Sequence, residues 1–500
     1  VEKLSASTSP ASPGSASGLK RGTLGTPGVV FLVLAAVAPL TGTVVVASLA
    51  IALGNGGGTP FAFLVIAALF LIFAVGYAQM SRVLVNAGGF YAFVLKGLGR
   101  TGGLVAGLIA TLGYNFFVVG TIGTSGFFMQ TIIAQLTDLD VHWYVWGLLS
   151  IVASFLLARR GIDISSAVLG IALVLETLVL VVFDISVLVR TGFSVEAFSP
   201  DAIFSGSLPI GLLLAATTFL GFEATSLFGE EAKNPSRTVP RATYIAVSII
   251  GVVFALTSWA VVSATGVAQA QSASQEHLES GDLLFSLAGQ YLGDPLVKVM
   301  MVLLLVSLFA AMLAFHNSAA RYLYALGRAR VFPYALSRTN AGGSPVVACV
   351  VQAVFAVVVA GAFALAGLDP ITSLVPSMIG FGTLCIMVLQ VLAALAIIVH
   401  FRRQRDPRIG RTFVAPLIAM LGLGTIVVLA IINFDIVAGS DALAVRLLPL
   451  LLVVAVVGGL ILGPYLKRKR PQVYAALAED MDKAGLDDAE ESEPLPSPAA

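Results

Sequence analysis

The chain has 500 residues, of which 58% are hydrophobic and only 11% charged, against about 25% charged in soluble domains. That balance excludes an ordinary soluble fold and predicts an all-α integral membrane protein. With 28 basic and 27 acidic residues the net charge is +1, so the overall charge recruits neither nucleic acid nor an acidic partner.

A crossing needs about 20 apolar residues, and runs free of Asp, Glu, Lys, Arg and His mark the crossings in chain order. Residues 1–21, rich in Ser, Ala, Pro and Gly, read as a disordered cytoplasmic tail. The run 22–81 holds two crossings, divided by the turn sequence GNGGGTP at Gly54 to Pro60. No small-residue cleavage pattern separates them, which predicts a retained span rather than a signal peptide. A third crossing occupies 101–137, a fourth lies between His142 and Arg159, and a fifth runs from Ile164 to Val189 with Glu176 and Asp184 embedded in it. The sixth precedes Glu223, and the others fall at 242–275, 296–320, 345–367, 371–400, 412–434 and 447–466. The expectation is twelve transmembrane helices over 22–466, followed by a second disordered tail, 467–500, which carries eight acids between Glu479 and Glu493.

Cytoplasmic loops collect Lys and Arg. With twelve crossings and both termini inside, all of the 28 basic residues except Arg190, Lys298 and Arg446 face the cytoplasm. A multi-pass protein of the cell membrane with both termini cytoplasmic is therefore expected. Asp184, nearer the outer surface, is expected to be solvated.

Several chemistries are missing. No Gly-Lys pair occurs, so no phosphate loop of the Walker type can be written. There is no HExxH and no CxxC, and His142, His277, His316 and His400 are scattered over different segments. Cys349 and Cys385 lie in apolar runs. No enzyme, no cofactor and no metal site is expected.

Two crossings carry helix breakers. The first reads VLAAVAPLTGTVVVASL, where Pro39 removes an amide donor and Gly42 permits unusual dihedrals; the sixth reads LLLAATTFLGFEATSLFGEEAKNP, with Gly221 and Glu223 in mid-run. In lipid such interruptions survive where they line a cavity or are buried in protein. The offset of five is odd, so the two crossings point opposite ways, as in inverted repeats whose broken helices meet near the midplane. Exposed amides on one stub suit a carboxylate and exposed carbonyls suit an ammonium, and an α-amino acid carries both. Packing kinks are the alternative reading of each breaker alone.

On these residues the chain resembles the amino acid–polyamine–organocation superfamily. The most specific stretch is FLGFEATSLFGEEAKNPSRTVPRA from Phe219, supported by the Pro39-containing first helix, NAGGFYAF at Asn86 to Phe93, and HNSAARYLYALGRARVFP from His316. The resemblance implies a LeuT-type fold: a first five-helix repeat over 22–190, an inverted second repeat over 208–401, and two peripheral helices over 412–466. It implies a secondary transporter working by alternating access on an amino acid, with polyamine import or amino acid exchange as alternatives. It departs after Arg328, where Ala329 and Arg330 replace an expected Asp-Gly.

The resemblance places Ala38, Pro39, Leu40, Thr41 and Gly42, together with Phe219, Leu220, Gly221, Phe222 and Glu223, at the substrate site. Thr41 would add a hydroxyl for the carboxylate, and Phe219 or Phe222 would act as a lid. Glu223 would either pair with a substrate amine or cap the second half-helix, and Tyr114 would offer its hydroxyl. Glu230, Glu231, Lys233 and Arg237 would form inner-gate ion pairs. A lysine that replaces sodium in some proton-coupled relatives has no counterpart here, its place falling near Ala167. Glu176, in mid-crossing, must be protonated, paired or hydrated, which makes it the candidate for proton coupling. His316 reads as a hydrogen-bonded helix residue. The expected partners are a small-molecule substrate, the lipid bilayer and protons.

Overall fold

The computed structural model describes residues 24–84, 89–160, 166–227, 232–340, 343–439, 442–475 and 477. The architecture follows from the apolar runs: among the described residues it is an all-helical membrane fold in which ten helices are long and apolar enough to cross a bilayer. They are span 1 (Thr26–Leu53), span 2 (Gly56–Val83), span 3 (Gly89–Thr137), span 5 (Gly170–Thr191, in a helix that begins at Ser166), span 7 (Pro235–Thr265), span 8 (Asp294–Arg328), span 9 (Val346–Leu365), span 10 (Pro370–Arg403), span 11 (Gly410–Ile432) and span 12 (Leu443–Lys469). Two shorter apolar elements complete the set. Span 4 is Trp143–Arg160, and span 6 is the interrupted pair Leu208–Thr217 and Ala224–Leu227.

Packing depends on small residues that bring backbones together, the usual device where lipid removes any hydrophobic drive between helices. Spans 3 and 10 approach so closely that a methyl group on Gly97 would sit 2.2 Å from the Ala396 carbonyl oxygen. Span 7 lies against span 1 in the same manner: a Cβ on Gly42 would come 2.4 Å from the Phe254 ring, itself fully buried and stacked on Phe63. Gly42→Ala is accordingly expected to destabilise by about 1–3 kcal/mol through overpacking. A thermal unfolding series in detergent checks this, and Phe254→Leu in the same chain should restore most of the loss. Spans 11 and 12 are peripheral, with Val428, Ile432, Val454 and Ile461 exposed as lipid-facing side chains must be.

Several details differ from the sequence expectation. Span 3 begins at Gly89, so the FYAF part of the NAGGFYAF motif is helical, and a kink at Gly99 (φ 82°) separates this first stretch from the rest. Asn86, Ala87 and Gly88 lie outside the described residues. The first residues of the expected second tail are helical: span 12 reaches Lys469, residues 471–475 form a further turn, and Tyr474 docks through its hydroxyl on Thr101 at 3.2 Å, beneath the Arg100 guanidinium. Asp184 is buried, 1% exposed, and not solvated, because span 7 covers it and Thr257 donates a hydroxyl to it at 2.9 Å. After span 8, Arg330 takes a left-handed conformation (φ 56°), so the turn where a glycine was expected is made by arginine at some backbone strain.

Candidate substrate site at two helix breaks

The first break follows directly from local sequence. Helix Thr26–Val37 ends at Ala38, held left-handed (φ 51°, ψ 74°), and a new half-helix starts at Pro39, which has no N–H to offer. Because the helical ladder lapses here, the first amides of the second half need outside acceptors. Span 5 supplies one: the Glu176 carboxyl faces the Leu40 amide and also the Ser307 hydroxyl of span 8. Thr41 donates its own hydroxyl to Ser307 at 3.0 Å. Glu176 is 4% exposed. Spans 1, 5 and 8 therefore meet at one polar knot, which sequence reasoning had not assembled because its members are separated by more than 130 residues.

The second break is made differently. Beyond Thr217 the chain tightens into bonds of the i→i−3 type, Phe219 to Ala216 at 3.1 Å and Leu220 to Thr217 at 3.1 Å. Gly221 then adopts φ 108°, a region that side chains other than glycine rarely enter. Its amide donates to Glu223 Oε2 at 2.9 Å, while Tyr114 of span 3 donates its hydroxyl to Glu223 Oε1. Both carboxyl oxygens are thus engaged by protein. Tyr77 of span 2 bonds the Glu223 carbonyl at 3.2 Å and the Thr225 hydroxyl at 2.9 Å, and Thr225 in turn pairs with Thr243 of span 7 at 2.9 Å.

The two breaks lie side by side: a Cβ on Gly221 would come within 3.4–3.5 Å of Ala36 and Val37. A cavity of about 90 Å³ opens between them. Its wall comes from the half of span 1 before the break (Leu32, Ala35, Ala36), from Gly221, Glu223 and Ala224, from Tyr114, and from the second half of span 8, where Ala310, Leu313, Ala314 and Phe315 precede the polar Asn317, Ser318 and Arg321. On the far side of the breaks the packing is shut. Phe254 covers Gly42, Thr217 bonds Thr383 of span 10 at 3.2 Å, and a remnant of about 10 Å³ among Val45, Leu213, Val375 and Ile379 is wholly apolar.

Of the residues expected at the site, Gly221, Glu223 and Tyr114 line the cavity. Ala38, Pro39, Leu40, Thr41 and Gly42 form the break just beyond it and are not part of its wall. Phe219, Leu220 and Phe222 point away: Phe219 stacks on Phe70 at 5.1 Å, and Phe222 sits among Phe70, Phe73, Tyr77 and Phe90. Neither phenylalanine is a lid in this conformation. Glu230 and Glu231 lie outside the described residues, and Lys233 and Arg237 are exposed. At the same face, Asp406 and Arg408 pair at 2.6 Å, and Arg408 reaches Gln79 of span 2 at 3.1 Å. The Arg408 hydrogen bonds hold the Asp406 carboxyl down at about 2. His316 is fully buried against Gln352 of span 9.

The amino acid permease family model matches residues 24–458, which contain both breaks and the cavity. The chain belongs to the amino acid permease family. The permease is 26% identical over 344 residues to the branched-chain amino acid permease BcaP of Lactococcus lactis, spanning 64% of this chain and 71% of the relative. It is 26% identical to the BcaP of Bacillus subtilis over 72% of this chain and 77% of the relative. It is also 24% identical to the low-affinity putrescine importer PlaP of Escherichia coli over 55% of this chain and 60% of the relative. The family match establishes a permease, a family without enzymatic chemistry.

Proposed function

We propose that the permease is a secondary active transporter of an aliphatic α-amino acid, working by alternating access across the cell membrane with both termini inside, in two inverted repeats that meet at the breaks. The observation that carries the substrate class is Glu223, the acid among the residues described as lining the cavity, whose two oxygens are already bonded by Tyr114 and Gly221. A diamine needs an acid free to meet each ammonium, since a buried unpaired charge is costly. An aliphatic side chain needs only apolar surface, and Ala35, Ala36, Ala224, Ala310 and Leu313 offer it. The exposed backbone polarity of the two stubs suits the charged ends of the zwitterion. The likeness to BcaP agrees with this reading, and the likeness to PlaP supplies the competitor.

Uptake by vesicles containing the purified permease tests it. Unlabelled leucine, isoleucine or valine should compete with labelled leucine, and isoamylamine, which lacks only the carboxylate, should compete at least about tenfold more weakly, the loss of one charged anchor. Competition by putrescine at amino acid concentrations would replace this reading with diamine transport.

The coupling ion is proposed to be the proton, bound at Glu176. That carboxyl meets the first half-turn after the break in span 1 and the Ser307–Thr41 pair, so its charge state bears directly on the segment that must move.

A further inference from the structure

Asp184 has no part in the cavity or in the knot around Glu176, yet it is an acid buried in span 5, 1% exposed. Thr257 donates to its Oδ2 at 2.9 Å, while Oδ1 has no hydrogen-bond partner among the described residues. Spans 1, 7 and 8 and the helix Leu283–Leu292 pack against span 5. Among the described residues Thr257 is the hydrogen-bond partner found for the acid, and no charged side chain of those elements is seen to pair with it. An intramembrane acid in that position marks function more often than stability.

Its setting links it to the closed side of the permease. Thr257 and Phe254 are three residues apart on span 7, one helical turn, and Phe254 is the ring that covers Gly42 in the second half of span 1. The closed packing gives an ionised carboxylate one donor and leaves its other oxygen dry, which penalises the anion by the full desolvation of that oxygen. A neutral carboxylic acid fits the same place with far less penalty. Opening the packing around Phe254 would admit water to Oδ1 and remove the difference.

We propose that Asp184 is a second proton-binding site, distinct from Glu176, and that proton occupancy there favours closure of the outer half of the permease. The proton is exchanged with water on the side away from the cavity: the carboxylate takes it up as the outer half shuts and releases it when that half opens. The effect is one of external pH on conformation, and it stands whether or not Glu176 couples transport to a proton gradient.

The test uses the full chain in cells with cysteine introduced at Val45, which lines the apolar remnant on the closed side, and a membrane-impermeant maleimide. The native Cys349 and Cys385 are buried and give little background. Because the thiolate is the reacting species, labelling is expressed at each pH relative to that of a cysteine at exposed Val195. On that scale Val45→Cys should label faster at about pH 8 than at about pH 5.5 by roughly tenfold or less, as one proton-linked equilibrium allows. In Asp184→Asn, whose amide mimics the neutral acid, this relative labelling should be slow and independent of pH. The Glu176→Gln variant should keep the pH response. A response that persists in Asp184→Asn, or labelling of the parent protein that does not vary with pH, overturns the proposal. A cysteine at exposed Val195, labelled equally in all backgrounds, shows that each variant is folded and at the cell surface. A pH response lost in Glu176→Gln but kept in Asp184→Asn overturns it too, assigning the effect to Glu176.

Discussion

Glu223→Ala is expected to lose nearly all substrate exchange in vesicles while still being recovered as a monodisperse protein. The change strips the acceptor from the Gly221 amide and the Tyr114 hydroxyl together, two donors in a buried setting. Each unsatisfied donor costs about 1–3 kcal/mol, enough to let Gly221 abandon its left-handed conformation and the break to rewind. Glu223→Gln keeps one acceptor oxygen and should retain exchange at a reduced maximal rate. The kinetic pattern discriminates between the two roles open to this acid. A fall in maximal rate with a steady KM identifies the cap, whereas a raised KM with an unaltered maximal rate would make Glu223 a ligand of the substrate amine.

Glu176→Gln should abolish accumulation driven by an inward proton gradient while leaving exchange of substrate for substrate, since exchange needs no net proton movement. The size of the effect follows from electrochemistry. One charge falling through about 100 mV supplies roughly 2.3 kcal/mol, and each tenfold of accumulation takes about 1.4 kcal/mol, so a single proton sustains roughly 40-fold uptake. The variant should therefore fall from a steady-state ratio of that order to about unity, measured as labelled leucine retained by vesicles with an alkaline interior. Accumulation and pH dependence equal to those of the parent protein would remove Glu176 from the coupling scheme and leave exchange as the transport mode.

The helices were legible because charge is the strongest signal a membrane imposes. The apolar runs located every long helix, although span 3 starts at Gly89 instead of 101 and span 7 covers Pro235–Thr265 instead of 242–275, and Pro39 and Gly221 located both interruptions. Partnerships were not legible. Tyr114 meets Glu223 across 109 positions and Thr41 meets Ser307 across 266, and no local pattern encodes contacts between helices that fold together only in three dimensions. The two phenylalanines beside Gly221 illustrate the same limit: an aromatic at a break serves equally as a lid or as packing, and here Phe70, Phe73 and Phe90 claim them. Asp184 was misjudged from its distance to the helix end, because depth along a helix does not tell which neighbour lies over a given face.

Just ahead of span 1, Leu24 and Ala232 form a parallel bridge, and the Lys233 amide donates to the Leu24 carbonyl at 2.8 Å. The leading end of span 1 and the segment that enters span 7 are thereby buttoned together by main chain, whose geometry does not depend on which side chains occupy those positions. A tether of this kind ties any displacement of the start of span 1 to the segment that leads into span 7.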